Sequence, residues 1–185
     1  MKKNLKYSLI LLSICAISTA LLALTNAITA PVIERQGQAS RLAGLEAVSM
    51  GYEAGAQKVV TDDPAVTFMI ELKDDRRTAG YILGLKGAGY GGEMTLVASY
   101  NTAGEILRVQ LLSHNETPGL GKKAENEGYM DKFEGTGAAQ AVPTNKSMLN
   151  SEDAAAVSGS TVTFVAIGKA LEAGSRYVIR LGGKR

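Results

Sequence analysis

From Tyr7 to Ile33 the chain carries no charged side chain, and from Leu9 to Leu24 it is predominantly apolar. At a rise of 1.5 Å per residue, about 20 such residues cross a hydrocarbon core of about 30 Å. Backbone in hydrocarbon must satisfy its own hydrogen bonds, so the stretch is predicted to be a transmembrane helix. Lys2, Lys3 and Lys6 precede it. The positive-inside rule then leaves the N-terminus in the cytoplasm and sends residues 34–185 across the inner (cytoplasmic) membrane. A cleaved signal peptide is the alternative, with small residues at Thr25, Asn26 and Ala27. Its apolar region is ordinarily only about 7 to 15 residues, so the reading adopted is a retained single-pass anchor.

The only cysteine, Cys15, falls inside that segment, and His114 is the only histidine. Within one chain this excludes disulfides, cysteine-ligated zinc, iron–sulfur clusters and a histidine-rich metal site, so no metal is expected. A net charge of +2, without basic runs or interleaved aromatics, gives no case for nucleic acid. The 185 residues, 45% of them hydrophobic, fit one globular domain beside the anchor. Redox or group-transfer chemistry would need a borrowed reagent.

The domain reads as follows. After Pro31 a moderately amphipathic helix with Leu42, Leu45 and Val48 on or near one face ends by Gly51. Four β-rich segments follow, at Val66 to Leu72, Tyr81 to Leu85, Met94 to Tyr100 and Ile106 to Leu112, broken by "KDDRRTAG", "KGAGYGGE" and "NTAGE". Such spacing predicts an antiparallel meander. Pro118, Gly119 and Gly121 mark a tight loop, and Lys122 to Phe133 supplies a short helix. Phe164, Ile167, Gly168 and Leu171 have helical spacing, which predicts a helix from about Thr161 to Ala173 stopped at Gly174. "SRYVIRLGG" closes as a strand. The fold class is α+β, divided into an anchor (1–33), a helical linker (34–60) and an extracytoplasmic domain (61–185).

Three motifs invite chemistry. "GAGYGG", Gly87 to Gly92, satisfies G-x-G-x-x-G, but the strand-like "EMTLVASY" follows it where a dinucleotide fingerprint requires a helix. It reads as a glycine-rich turn. His114 with Ser160 or Ser147 could be imagined as a hydrolytic pair, yet no G-x-S-x-G elbow is present. The third motif, "SGSTVT", crowds Ser158, Ser160, Thr161 and Thr163 around Gly159 at a helix start. One cap needs one hydroxyl. Free amides, the positive end of the helix dipole and extra hydroxyl donors together suit a phosphate.

"SGSTVT" and "HNETPGLG" (His114 to Gly121), with "TAPVIE", "YGGEM" and "GEILRVQLLSHNETPGLG", resemble the FMN-binding domain family. That family is shared by the G subunit of the Rnf electron-transport complex and the C subunit of the sodium-translocating NADH:quinone reductase. The chain's shortness favours the Rnf protein. The resemblance implies covalent FMN, because the family's S-G-A-T-x-T motif carries the flavin as a phosphoester on its last threonine, here Thr163. It also implies that the loop Glu116 to Gly121 borders the flavin, with Leu120 against the ring face, Thr117 and Glu116 near its polar edge, and Gly119 and His114 in the same set. Ser158, Ser160, Thr161 and local amides would bond the phosphate oxygens, while Gly159 lets the backbone come close.

The sequence departs from the family pattern at Ser160, usually alanine, at Ala155, where an acidic residue is common, and at Phe164, where serine is common. The implied partners are the membrane itself, the other membrane and redox subunits of a complex, and a flavin transferase that cleaves FAD during maturation. The implied role is electron relay within a translocating complex, not stand-alone catalysis. A tethered binding or assembly module without flavin, and a hydrolase using His114, are the rival readings.

Overall fold

The computed structural model describes residues 2–75 and 77–183. Helix α1 runs Lys2–Ser49, and two compact units divide within it, between Ser40 and Arg41. In the first unit the large apolar side chains from Leu5 to Ile33 are exposed. Ser13, Thr19, Thr25 and Thr29 each donate a hydroxyl proton to the carbonyl four residues earlier, at 2.8 to 2.9 Å. Apolar side chains facing outward, with hydroxyls closed onto their own backbone, suit a hydrocarbon solvent. This one N-terminal helix is long and apolar enough to cross a membrane. It continues through Pro31, where the sequence suggests a fresh helix; proline is tolerated in such segments when local adjustments satisfy the freed carbonyl.

The second unit is built on a five-stranded antiparallel meander, β1 (Glu53–Val59), β2 (Val66–Asp74), β3 (Arg77–Ala88), β4 (Glu93–Asn101) and β5 (Ile106–Ser113), in the spatial order β1-β2-β3-β4-β5. The break "KDDRRTAG" includes Arg76, which lies outside the described residues. The last helix, α3 (Thr161–Gly182), covers one face of the sheet and packs chiefly on β3. Its stripe of Phe164, Ile167, Leu171 and Val178 meets Tyr81, Leu83 and Leu85 of β3 and Leu96, Ala98 and Tyr100 of β4 in one buried cluster. On the other face, Val48 and Leu45 of α1 pack with Phe68, Ile70, Leu72, Ile82 and Val97. Burial on both faces makes β3 read as a near-continuous apolar run. The bulge between Val66 and Phe68 explains why these two residues, an even step apart, belong to opposite clusters.

Several local expectations are corrected. Ser175 to Gly183 is not a strand; α3 continues to Gly182, with Gly183 as its C-cap. Gly174 is not a helix stop but an interior contact, since a Cβ there would collide with the Tyr100 hydroxyl. That hydroxyl donates to the Leu171 carbonyl at 3.0 Å. The buried stripe therefore continues to Tyr177 and Val178. Glu53–Val59, placed by sequence in the helical linker, is an edge strand, almost wholly exposed and lacking the apolar alternation that betrays the others. Lys122 to Phe133 forms two 3-10 turns, Gly121–Glu125 and Met130–Lys132, parted by extended Asn126 and by Gly128 at φ 73°. A short helix, α2 (Ser151–Ala156), precedes the hydroxyl cluster, with Asn150 accepting the Asp153 amide proton at 2.8 Å.

Phe164 is fully buried, stacked on Phe133 at 4.9 Å and edge-on to Tyr129 at 6.5 Å. Its departure from serine thus serves packing. Phe164→Ala should lose about 3 to 5 kcal/mol of stability, read as a lower urea midpoint by circular dichroism of the detergent-solubilised chain. A loss under about 1 kcal/mol would remove α3 from the core of this domain.

Candidate functional site

The two hydroxyl- and glycine-bearing motifs meet at Thr163, in the first turn of α3. Its Oγ1 donates to Glu116 Oε2 at 2.6 Å, across 47 residues of sequence. Glu116 Oε1 accepts the backbone N–H of Gly91 at 2.9 Å. The glycine-rich β3–β4 turn, the loop after β5 and the start of α3 therefore converge on one carboxylate. Both side chains are buried, Glu116 at 4% exposure and Thr163 at 1%.

Glycines make this convergence possible. A Cβ on Gly121 would lie 2.8 Å from Thr163 Oγ1 and 2.7 Å from Glu116 Cβ. A Cβ on Gly89 would run into the Glu116 carboxylate, and one on Gly91 into the Asn115 carbonyl. "GAGYGG" is a turn between strands, as its sequence context predicts, and its backbone serves the site. Gly119, at φ 77°, shapes the turn in which the Leu120 and Lys122 amides bond the Thr117 carbonyl.

His114 anchors the start of the loop. Its Nδ1 accepts the Glu116 N–H at 3.2 Å, and its Nε2 lies 2.7 Å from Glu125 Oε1. An accepting Nδ1 places the proton on Nε2, which donates to Glu125. Both ring nitrogens are thereby engaged, and neither contacts Ser160 or Ser147. Ser147 bonds Asn145, so no hydrolytic pair forms.

The hydroxyl cluster divides by burial. Ser158, Gly159 and Thr161 are exposed, whereas Ser160 is buried. Ser160 stands at the N-cap but makes no capping bond. Its Oγ donates to the Val157 carbonyl at 3.0 Å, leaving Tyr129 to donate to Ser160 Oγ at 3.2 Å. Burial pushes the Tyr129 phenol above its usual pKa range, and the Glu116 charge pushes it the same way, so it stays a donor at neutral pH. The Thr161, Val162 and Thr163 amides have no carbonyl within their own helix. Lys123 Nζ donates to the Ser158 carbonyl at 2.7 Å, and Lys146 Nζ lies 3.4 Å from Ser158 Oγ. Sequence reasoning misses these lysines and Tyr129, because only their charge or aromaticity is visible there.

The converging segments also carry exposed apolar side chains. Leu120 is 50% exposed, Val162 53% and Tyr90 78%. Leu120 Cδ2 would touch a Cβ on Gly159 at 3.5 Å. A cleft of about 490 Å³ is lined by Thr161, Val162, Val165, Lys86 and Lys169. A larger groove, about 860 Å³, lies along β5 and includes His114, Glu125 and Asp131 but not Thr163.

The converging segments fall within a known family domain. Residues 89–175, which contain all three converging segments, match the model of the FMN-binding domain, and residues 1–48 match that of the RnfG N-terminal region. The chain is 30% identical over 177 residues to the G subunit of the Na(+)-translocating ferredoxin:NAD(+) oxidoreductase complex of Acetobacterium woodii, covering 88% of this chain and 85% of that protein. It is 31% identical over 109 residues to the G subunit of the proton-translocating ferredoxin:NAD(+) oxidoreductase complex of Clostridium ljungdahlii, 58% of each chain. It is 35% identical over 130 residues to the G subunit of the ion-translocating oxidoreductase complex of Vibrio cholerae, 65% of this chain and 62% of that protein. The match thus spans less than two thirds of the latter two relatives. The coverage of the Acetobacterium protein, joined to both family models, shows that the chain belongs to the family of G subunits of Rnf-type ion-translocating oxidoreductase complexes and carries its FMN-binding domain.

Proposed function

We propose that this chain is a membrane-anchored electron carrier of an Rnf-type complex, holding FMN as a phosphoester on Thr163. The observation that carries the reading is the meeting of "HNETPGLG" and "SGSTVT" at the Thr163 hydroxyl. The residues present fit the group. Three α3 amides without helical partners, the Ser158 and Thr161 hydroxyls and the ammonium groups of Lys123 and Lys146 suit a phosphodiester. Exposed Leu120 and Val162 offer apolar surface to a ring system, with Thr117 and Gly119 beside it. His114 contributes by fixing the loop.

When bound, the flavin supplies one- and two-electron redox chemistry. The chain binds it and orients it. Residues 1–33 serve as the anchor, and the domain lies across the inner membrane from the N-terminus. A flavin transferase on that far side performs the attachment from FAD, and the remaining membrane and redox subunits of the complex donate and accept the electrons.

Thr163→Ala should give a folded chain without covalent flavin. Losing the Thr163 donor to buried Glu116 costs about 1 to 3 kcal/mol, which circular dichroism will register as a lower melting point. Flavin fluorescence persisting on a denaturing gel of this variant moves the attachment elsewhere.

Leu120→Ala should shift the flavin's absorption and reduction potential and admit solvent to the ring. Unchanged spectra, potential and quencher access would exclude Leu120 from the flavin environment.

In sealed vesicles of known orientation, added protease should digest the domain only from the extracytoplasmic face. Digestion confined to the cytoplasmic face overturns the topology and the order of export before attachment.

A further inference from the structure

We propose that Glu116 is the proton acceptor for Thr163 during flavin attachment, so that the protein receiving the flavin carries its own base. The inference rests on Thr163 as the acceptor. Oε2 stands 2.6 Å from Oγ1, the reach a general base needs before any substrate arrives. The carboxylate is held from its other end by the Gly91 amide, and the backbone at Glu116 by His114. A base oriented by a third group follows the logic of activated nucleophiles. No lysine or arginine pairs with Glu116 among the described residues. The Thr163 hydroxyl is thus the side-chain donor at this carboxylate.

The chemistry balances. A bond forms between Thr163 Oγ1 and the flavin-side phosphorus of FAD, and the phosphoanhydride bond breaks, AMP leaving with the electron pair. The Thr163 proton passes to Glu116 Oε2 and then to solvent. Because Gly121 covers Oγ1, the donor's approach displaces that end of the loop. Glu116, tied to Gly91 and His114, keeps its place without Gly121.

A merely structural role for Glu116 would be served by glutamine. Its amide oxygen can accept the Gly91 N–H and its NH2 can donate to Thr163 Oγ1, so shape survives while proton acceptance is lost. The full-length chain in detergent is incubated with FAD and a flavin transferase, and adduct formation is followed by intact mass. Glu116→Gln should lower the kcat of modification about 100-fold or more, with KM for the chain and melting temperature little changed. Glu116→Ala should be equally slow and recover in formate but not in chloride of the same ionic strength. A wild-type kcat in Glu116→Gln, or no recovery of folded Glu116→Ala in formate, overturns the proposal. The underlying reading is separated by Thr163→Ala: if that variant is modified, the acceptor assignment fails; if it is blank while Glu116→Gln reacts at the wild-type rate, only the role of Glu116 fails.

Discussion

A carboxylate at 4% exposure costs several kcal/mol unless its oxygens are satisfied, and in this protein the two donors that satisfy Glu116 come from distant parts of the chain. Gly91 belongs to the β3–β4 turn and Thr163 to the first turn of α3. The carboxylate therefore sets the positions of both relative to the loop that follows β5. The small residues at Gly89, Gly91 and Gly121 clear the volume this requires. Removing the carboxylate would leave a buried hydroxyl and a backbone amide without their acceptor, so the geometry of the site and the stability of the loop are one problem.

The sheet and α3 supply the frame on which that carboxylate is held. Gly168 and Gly174 let α3 lie close, the first against the Pro143 carbonyl and the second against Tyr100. This close approach is why the sequence misleads near the C-terminus. Glycine at 174 resembles a helix stop, and Tyr177, Val178 and Ile179 favour strand locally. The deciding term is the stripe from Phe164 to Val178 burying against β3 and β4, a tertiary contact no local window contains. The four central and later strands were legible because apolar alternation or continuous burial marks them. Strand β1 was not, because an exposed edge needs no apolar residues.

The site was legible in pieces. Thr163, Glu116 and the glycines stood out as motifs, and the family resemblance named them together. Their contact spans 47 residues, a separation across which periodicity carries no information. Lys123 beside Ser158 and Tyr129 beside Ser160 lie 35 and 31 residues apart and had no motif to announce them. His114 was visible as the lone histidine, but its use as a loop brace follows from which atoms face its two nitrogens.

The surroundings of Thr163 also explain why a covalent bond suits the proposed cofactor. A site that holds a small molecule by contacts alone usually buries about 70 to 90% of the ligand's surface. Here Leu120, Val162 and Tyr90, carried on the three segments that converge at Thr163, are half exposed or more. Such surfaces give modest affinity, which dilution would defeat if the domain lies outside the cytoplasm as proposed. The proposed tether would replace affinity with effective concentration, leaving the surrounding side chains free to act on orientation and potential. An open site on a tethered carrier also leaves part of the ring accessible, which electron exchange with neighbouring subunits requires.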